Sequence, residues 1–296
     1  MSIASLFSYV SPTPIRLHVA RFFVEVVDLD LETMLLDRND ETPSMSTPVS
    51  PMSETTESQP SLASPRLSVL MPVYNEEETV EAIIADVLAV PIDLELIVVD
   101  DGSTDATRSL LGKIEAVSDP RLKIIYAPYN VGKGAAIRVA LSHASGEVIV
   151  IQDADREYDP MDFVAMLDRI DRGAAVVYGT RLSAEAMSLN NEGRHDKFYY
   201  ARRVLPFLTN AIFGTRLTDE ATCYKMFRRE VLISIPLRCE RFDFCPEVTA
   251  KIARRGYKIY EVPIHYNART AAEGKKIGWS DAFDAVAALV KFRFRD

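Results

Sequence analysis

The chain is poor in the residues that build several common sites. It has three cysteines in 296 residues, Cys223, Cys239 and Cys245. Their odd number and spacing fit no zinc or redox motif, which predicts reduced thiols in a cytosolic protein. The four histidines, His18, His143, His195 and His265, have no metal-ligand spacing. His143, at the end of an expected helix, reads as structural. There is no Gly-x4-Gly-Lys-Ser/Thr loop and no Gly-x-Ser-x-Gly elbow, so P-loop and α/β-hydrolase chemistry are excluded. No run approaches the roughly 18–20 apolar residues of a spanning helix. The N-terminus lacks the basic, apolar and cleavage regions of a secretory signal. These absences predict a soluble or peripheral protein. The net charge of −9 lacks the broad basic excess of a nucleic-acid binder, so no nucleic-acid partner is expected.

What charge there is lies unevenly. Residues 1–64 carry three Arg against nine Asp/Glu, a net of −6, and residues 254–296 carry nine Lys/Arg against five Asp/Glu, a net of +4. The basic end suits either an anionic lipid surface or phosphate groups, or else a plain solvated helix face. Residues 42–64 are rich in Ser, Thr and Pro and almost without large apolar side chains. They cannot repay the entropy of folding, which predicts a disordered linker within an N-terminal tail over 1–64. Residues 17–36, with Phe22, Phe23, Leu35 and Leu36 among acids, suit a small helix, or else the true start is Met45 or Met52.

Hydrophobic residues make up 48 % of the chain, enough for a full core. From Arg66 onward strands and helices alternate. Apolar runs at 67–73, 94–100, 122–127, 147–153 and 174–179 read as strands, the first two buried on both faces. Val80, Ile83, Ile84, Val87 and Leu88 recur at helical spacing, a Gly-opened helix covers 132–144, and another helix follows Pro160. This alternation predicts a doubly wound, mainly parallel α/β sheet, whose ligands bind at the carboxyl ends of the strands. The second half is less regular. Residues 182–200 read as a mobile loop, 201–212 and 246–255 as helices, and 223–228 and 257–263 as strands. A last, amphipathic helix over about 278–294 sets Trp279, Phe283, Val286, Leu289 and Val290 along one face.

Two of the predicted strands end in acid pairs, Asp100-Asp101-Gly102-Ser103 and Asp153-Ala154-Asp155. Carboxylates at Asp-x-Asp spacing can converge on a hard cation, Mg²⁺ or Mn²⁺, that completes its shell with phosphate oxygens. A single such pair is more often a cap or a solvated loop; two on one sheet edge favour the metal reading. Asn130-Val131-Gly132-Lys133-Gly134 is either a phosphate or sugar approach or a tight turn packing helix on strand.

Together these blocks resemble glycosyltransferase family 2. The matching run is Pro72-Val73-Tyr74-Asn75-Glu76-Glu77, Val99 through Asp105, Asn130 through Gly134, Asp153-Ala154-Asp155 and Gly179-Thr180-Arg181. Later blocks are similar to dolichyl-phosphate mannose synthases and their bacterial relatives. These are Asp219 through Lys225, Phe244-Cys245-Pro246-Glu247, Arg255-Gly256-Tyr257, Glu261-Val262-Pro263, and Arg269 with Gly274-Lys275-Lys276. Cys223 stands where that group usually has Gly, and Lys275 where it often has Ser.

The resemblance implies a GT-A fold over 65–276, with a nucleotide-sugar half (65–181) and an acceptor half (182–276), followed by the amphipathic helix (277–296). It implies that Pro72, Tyr74 and Glu76 line the nucleotide pocket and that Asp101 binds base or ribose. Asp153 and Asp155 would hold the metal and donor diphosphate. Lys133 would join the cofactor site, and Arg181 and Arg269 would contact phosphates. Lys275 and Lys276 would close as a lid. Asp219 would organise basic side chains rather than remove a proton. The implied reaction is inverting transfer of mannose or glucose, from GDP-mannose or UDP-glucose, to a polyprenyl phosphate. It would run in the cytoplasm, with peripheral contact to the inner membrane face or a membrane-protein partner. Rival readings are transfer to a soluble or polysaccharide acceptor and an inactive nucleotide-binding subunit. A nucleotidyltransferase is disfavoured by the missing Gly-x-Gly-Thr-Arg-Leu start. Deleting residues 1–62 is expected to leave turnover unchanged and to move the melting temperature by no more than about 2 °C, read by calorimetry.

Overall fold

Apolar runs without alternation make strands that are covered on both faces, and three such strands form the centre of this protein. The computed structural model describes residues 64–190, 197–269 and 279–295. The tail expected over 1–64, its 17–36 helix, Lys275 and Lys276 therefore fall outside the described residues (save Ser64), as do the side chains of Trp279 and Phe283. Strands β1 (Leu67–Val73) and β2 (Leu94–Asp100) are buried along nearly their whole length. They pair in parallel from Leu67↔Leu94 to Val73↔Asp100. Strand β3 (Leu122–Tyr126) continues the sheet outward from β2. Strand β4 (Val148–Ile151) lies on the other side of β1, again parallel.

The full order is β3-β2-β1-β4-β6-β5-β7. Strand β5 spans Val176–Thr180, β6 Lys225–Arg228 and β7 Ile259–Pro263. Only β6 runs against its neighbours, pairing antiparallel with both β4 and β5. Chain order reverses between β1 and β4. In sheets of this kind ligands bind in the crevice outside the carboxyl ends of the strands that flank such a reversal.

Helices cover both faces. Helix α1 (Val80–Leu88) buries Val80, Ile83, Ile84 and Val87, as its spacing predicts. Helices α2 (Thr107–Glu115), α3 (Lys133–Ser142) and α4 (Asp162–Asp171) follow β2, β3 and β4. His143 is the C-cap of α3, with Nδ1 3.1 Å from Lys123 Nζ.

The structure corrects several expected boundaries. Residues 182–200 are not one loop. They contain helix α5 (Ala184–Leu189), started by Ser183, whose Oγ accepts the Ala186 amide. Helix α6 then begins at Lys197 and runs to Phe213, through Pro206. Strand β4 stops at Ile151, so Asp153 and Asp155 lie in the following turn and not in the strand. Helices α7 (Arg229–Ile233), α8 (Phe244–Arg254) and α9 (Trp279–Phe294) complete the order. Among the described side chains of α9, Ala285, Ala288, Leu289 and Phe292 are buried, whereas Val286 and Val290 are half-buried. The inward stripe is thus rotated from the expected one, because α9 packs against α8 and α6 together.

The turn after β2 depends on Gly102. Its φ is +71°, and a Cβ there would sit 2.5 Å from the Tyr129 carbonyl carbon. Gly102→Ala is expected to lower unfolding free energy by about 2 kcal/mol or more in a urea titration, with the slope unchanged.

Candidate active site

The loops after β1 and β2 are bound to each other before any ligand arrives. Asn75, at φ 53°, accepts the Thr104 amide at 2.8 Å, and its own amide donates to Ser103 Oγ at 3.0 Å. The Glu76 amide donates to Thr107 Oγ1 at 2.8 Å. Pro72 and Tyr74 flank the same crevice edge, at the end of β1 and just beyond it. Asp100 is fully buried against Arg108 Nε at 3.0 Å.

Asp101 has a structural duty in this arrangement. Its two oxygens accept the amides of Val131 and Gly132, at 2.9 and 2.7 Å. A carboxylate thereby holds the glycine turn from below. Gly132 has φ +121°, and a Cβ on Gly132 or Gly134 would collide with the backbone of Cys239–Glu240. The glycines thus make a tight turn, but it packs on the Cys239–Glu240 backbone and not on a strand as expected. The turn also aims Lys133 across the crevice, where Nζ meets Asp153 Oδ1 at 2.6 Å. Burial alone would lower the Lys133 pKa, but the Asp153 carboxylate holds it well above 10.5.

Asp155 differs from its partner. Burial, then repulsion from Asp153 and Glu157, pushes its carboxyl up to about 7. Its Oδ1 accepts the Glu157 amide at 3.1 Å. The next residue, Arg156, is left-handed at φ 57° and pairs with Asp86 of α1 at 2.9 Å. Among the described residues no cluster of three or more Asp, Glu, His or Cys is poised around one cation. The two carboxylates of Asp153 and Asp155 still fit a hard divalent ion that draws its other ligands from phosphate oxygens, and such an ion would offset both the burial and the mutual repulsion that raise Asp155.

Arg269 crosses the crevice. Its Nε donates to the Asp155 carbonyl at 2.7 Å and Nη2 to Glu76 Oε2 at 3.0 Å. One side chain thus joins the acidic turn to the loop after β1. Arg181 stands differently from its expected place on phosphate. It is 6 % exposed, with Nε and Nη2 on the two oxygens of Asp219 at 2.7 and 2.8 Å and Nη1 on the Tyr158 hydroxyl at 3.0 Å. Asp219 is fully buried, and although burial opposes ionisation, Arg181 holds its pKa below the ordinary 3.8. The segment behind it is pinned by Lys225, whose Nζ donates to the carbonyls of Glu220 and Thr222 at 2.5 and 3.0 Å.

Tyr158 is the residue that motif reading missed. Its hydroxyl accepts from Arg181 and from the Cys223 amide at 3.2 Å, and its ring stacks on Tyr224 at 4.7 Å. It connects the acidic turn, the end of β5 and the segment before β6. Its nearness to Asp153-Ala154-Asp155 was the available signal. Cys223 is buried, with Sγ 3.8 Å from Lys133 Nζ.

Beside this centre lies a surface groove of about 780 Å³ lined by Arg156, Glu157, Met161, Asn190, His265 and Tyr266 among others. His265 Nδ1 sits 2.8 Å from Asp162, and that hydrogen bond raises the histidine pKa.

A sheet of this order, with acidic turns at the reversal of strand order, defines the GT-A class of nucleotide-sugar-binding folds. Solved structures of glucosyl-3-phosphoglycerate synthase from Mycobacterium tuberculosis share it. The complex with Mn²⁺, UDP and phosphoglyceric acid aligns with TM-score 0.56 and 22 % identity, over 78 % of this chain and 80 % of that one. The complex with Mg²⁺ and UDP aligns equally well, with TM-score 0.56. Glycosyl transferase family 2 matches residues 68–235, more than half of the chain, and the protein belongs to that family. It is 29 % identical over 217 residues to undecaprenyl-phosphate 4-deoxy-4-formamido-L-arabinose transferase of Salmonella paratyphi A, and likewise to that of Salmonella dublin. The match covers 71 % of this chain and spans 62 % of the length of those relatives.

Removing the Asp219 charge leaves Arg181 buried and unpaired. Asp219→Asn is expected to lower stability by about 3 kcal/mol in denaturant titration at pH 7. Because the folded-state pKa of Asp219 is depressed, the pair's contribution is complete above the ordinary value of 3.8 and is lost as pH falls through the lower folded value. The gap between wild type and variant should therefore hold from pH 7 to 5 and narrow only in stronger acid.

Proposed function

We propose that this protein transfers a hexose, mannose or glucose, from a nucleotide-diphosphate sugar to a polyprenyl phosphate, with inversion at the anomeric carbon. The observation that carries the reading is the pair Asp153 and Asp155 at the reversal of strand order, with Lys133 directly on Asp153 and Asp155 raised to about 7. A divalent cation on these carboxylates, Mg²⁺ or Mn²⁺, supplies charge neutralisation to the diphosphate leaving group.

The chain's own residues do the rest. Pro72, Tyr74 and Glu76 border the nucleotide on one side, and Asp101 either reaches the base or ribose or keeps the glycine turn in shape beneath it. Lys133 offers a cation at the diphosphate. Arg269, tied to the Asp155 carbonyl and to Glu76, sets the spacing between the acidic turn and the nucleotide loop. Lys275 and Lys276 are the further candidates for diphosphate contact. Arg181 acts at one remove, by holding Asp219 and Tyr158 behind the acidic turn. A phosphate acceptor is already ionised near neutral pH, so its oxygen attacks without a strong general base, and positioning with electrostatic stabilisation carries catalysis. The burial of Asp219 on Arg181 agrees with a role that moves no proton.

A lipid acceptor requires the bilayer to be near. Among the described residues no helix is long and apolar enough to cross a membrane. Peripheral contact is the favoured arrangement, through Lys291, Arg293, Arg295 and the 80 % exposed Phe294 at the end of α9. Phe292 does not belong to that surface, since it is 2 % exposed and packs under Lys251. A second reading, transfer to a soluble hydroxyl acceptor, is favoured by His265 held on Asp162 at the rim of the groove, where a hydroxyl would need such a base.

One screen separates these readings. GDP-mannose, UDP-glucose and UDP-N-acetylglucosamine are each supplied with Mn²⁺ and either polyprenyl phosphate in anionic vesicles or soluble acceptors. Turnover with a vesicle acceptor, its loss in chelator and a drop of at least about a hundredfold in Asp155→Ala are expected. Turnover with soluble acceptors alone would move the assignment to the second reading, and nucleotide binding with no turnover would leave an inactive binding subunit.

A further inference from the structure

Helix α8 carries two fully buried opposite charges, Glu247 and Lys251, joined at 2.7 Å. Neither touches the crevice. The Glu247 carboxylate accepts the amides of Arg238 at 2.9 Å and Cys239 at 2.8 Å, and Lys251 Nζ donates to the Pro236 carbonyl at 2.5 Å. The pair therefore grips the backbone of segment 236–239 from both signs of charge. A helix residue that only packed would not need two backbone amides and a carbonyl.

That segment lies directly on the glycine turn. The Glu240 carbonyl accepts the Ala135 amide at 3.1 Å, and Arg138 donates to the Cys239 carbonyl. A Cβ at Gly132 or Gly134 would strike these same carbonyls, so turn and segment fit with no room between them. Phe242, a little further on, sets its ring 5.8 Å from Lys133 Nζ. The far side of the turn is held by Asp101. Lys133, which meets Asp153, is thus aimed by a turn clamped from two directions.

We propose that Glu247 and Lys251 are positioning residues for the nucleotide-diphosphate site, acting through segment 236–243 on the Gly132–Gly134 turn and Lys133. The inference rests on the donor-site reading above. Two variants test it in the full-length chain. Glu247→Gln weakens the grip on the two amides. Glu247→Leu with Lys251→Met removes both buried charges, which restores a compatible apolar interior while leaving the amides of Arg238 and Cys239 without an acceptor.

The readouts are melting temperature, amide hydrogen exchange at Val131, Gly132 and Ala135, and calorimetric titration with UDP and with GDP in the presence of Mn²⁺. In the double variant the orphaned Arg238 and Cys239 amides and Pro236 carbonyl are expected to lower the melting temperature by several degrees while the chain stays folded at 25 °C, with exchange at the three amides at least about tenfold faster and nucleotide affinity at least about tenfold weaker. Amides of α1 should exchange as in wild type. A merely structural pair predicts instead a lowered melting temperature with unchanged nucleotide affinity at 25 °C. Unchanged exchange at the turn in both variants overturns the proposal, as does faster exchange with unchanged affinity. If wild type binds neither nucleotide with Mn²⁺, the donor-site reading is what fails, and the exchange measurement still decides whether α8 controls the turn.

Discussion

The buried pair of Arg181 and Asp219 is the contact on which the site's backbone depends. Strand β6 must run against β4 and β5 while sitting between them. The segment that brings the chain into β6 therefore passes under the acidic turn, carrying the buried Asp219, Glu220 and Thr222. Asp219 meets the forked donors of Arg181 at its carboxylate, while its own amide donates to Glu261 Oε1 at 2.9 Å. Burying two charges is costly in solvation, so the pair adds little net stability beside apolar packing. Its contribution is geometric. The planar guanidinium sets the carboxylate's direction, and the remaining nitrogen holds Tyr158, the first ring after the acidic turn.

Around that frame the site gathers many acids and answers nearly all of them. Asp100 has Arg108, Asp101 has two amides, Asp153 has Lys133, and Glu76 has Arg269. Asp155 keeps the Glu157 amide and faces two carboxylates; burial first, and then that repulsion, raises its pKa to about 7. Charge compensation is thus uneven by construction. One weak point falls where the chain turns out of β4, at Asp155, and another at the fully buried Glu220. A cation with a diphosphate is the chemistry that would complete the first of these. This links the fold to the family: the reversal of strand order makes the crevice, and the acids after β1, β2 and β4 give it its chemical character.

Much of this was readable along the chain. Leu67–Val73 and Leu94–Asp100 are mostly apolar runs without strict alternation, as suits a strand covered on both faces. The helical stripe of α1 and the acid pairs after β2 and β4 follow from local spacing, as does the Gly-rich entry to α3. Local rules failed where the local signal was thin or where structure was set from a distance. Helix α5 sits in a polar stretch whose decisive signal is one Ser183 cap. The inward face of α9 is rotated because two helices pack on it.

The sequence by itself determined the parallel core, the order of its motifs and the carboxylates offered at the strand ends, because apolar periodicity and turn residues act over a few positions. Only the tertiary structure decided what those side chains touch. Arg181 turned inward to Asp219, Asp101 took up two backbone amides, and Lys133 closed on Asp153 from 20 residues away. Tyr158 became a junction of three segments, the farthest of them 65 residues along the chain. A charged or hydroxyl group has no preferred partner until burial removes water as the competitor. Which partner then stands within reach depends on how β6 was inserted into the sheet, and no local pattern encodes that.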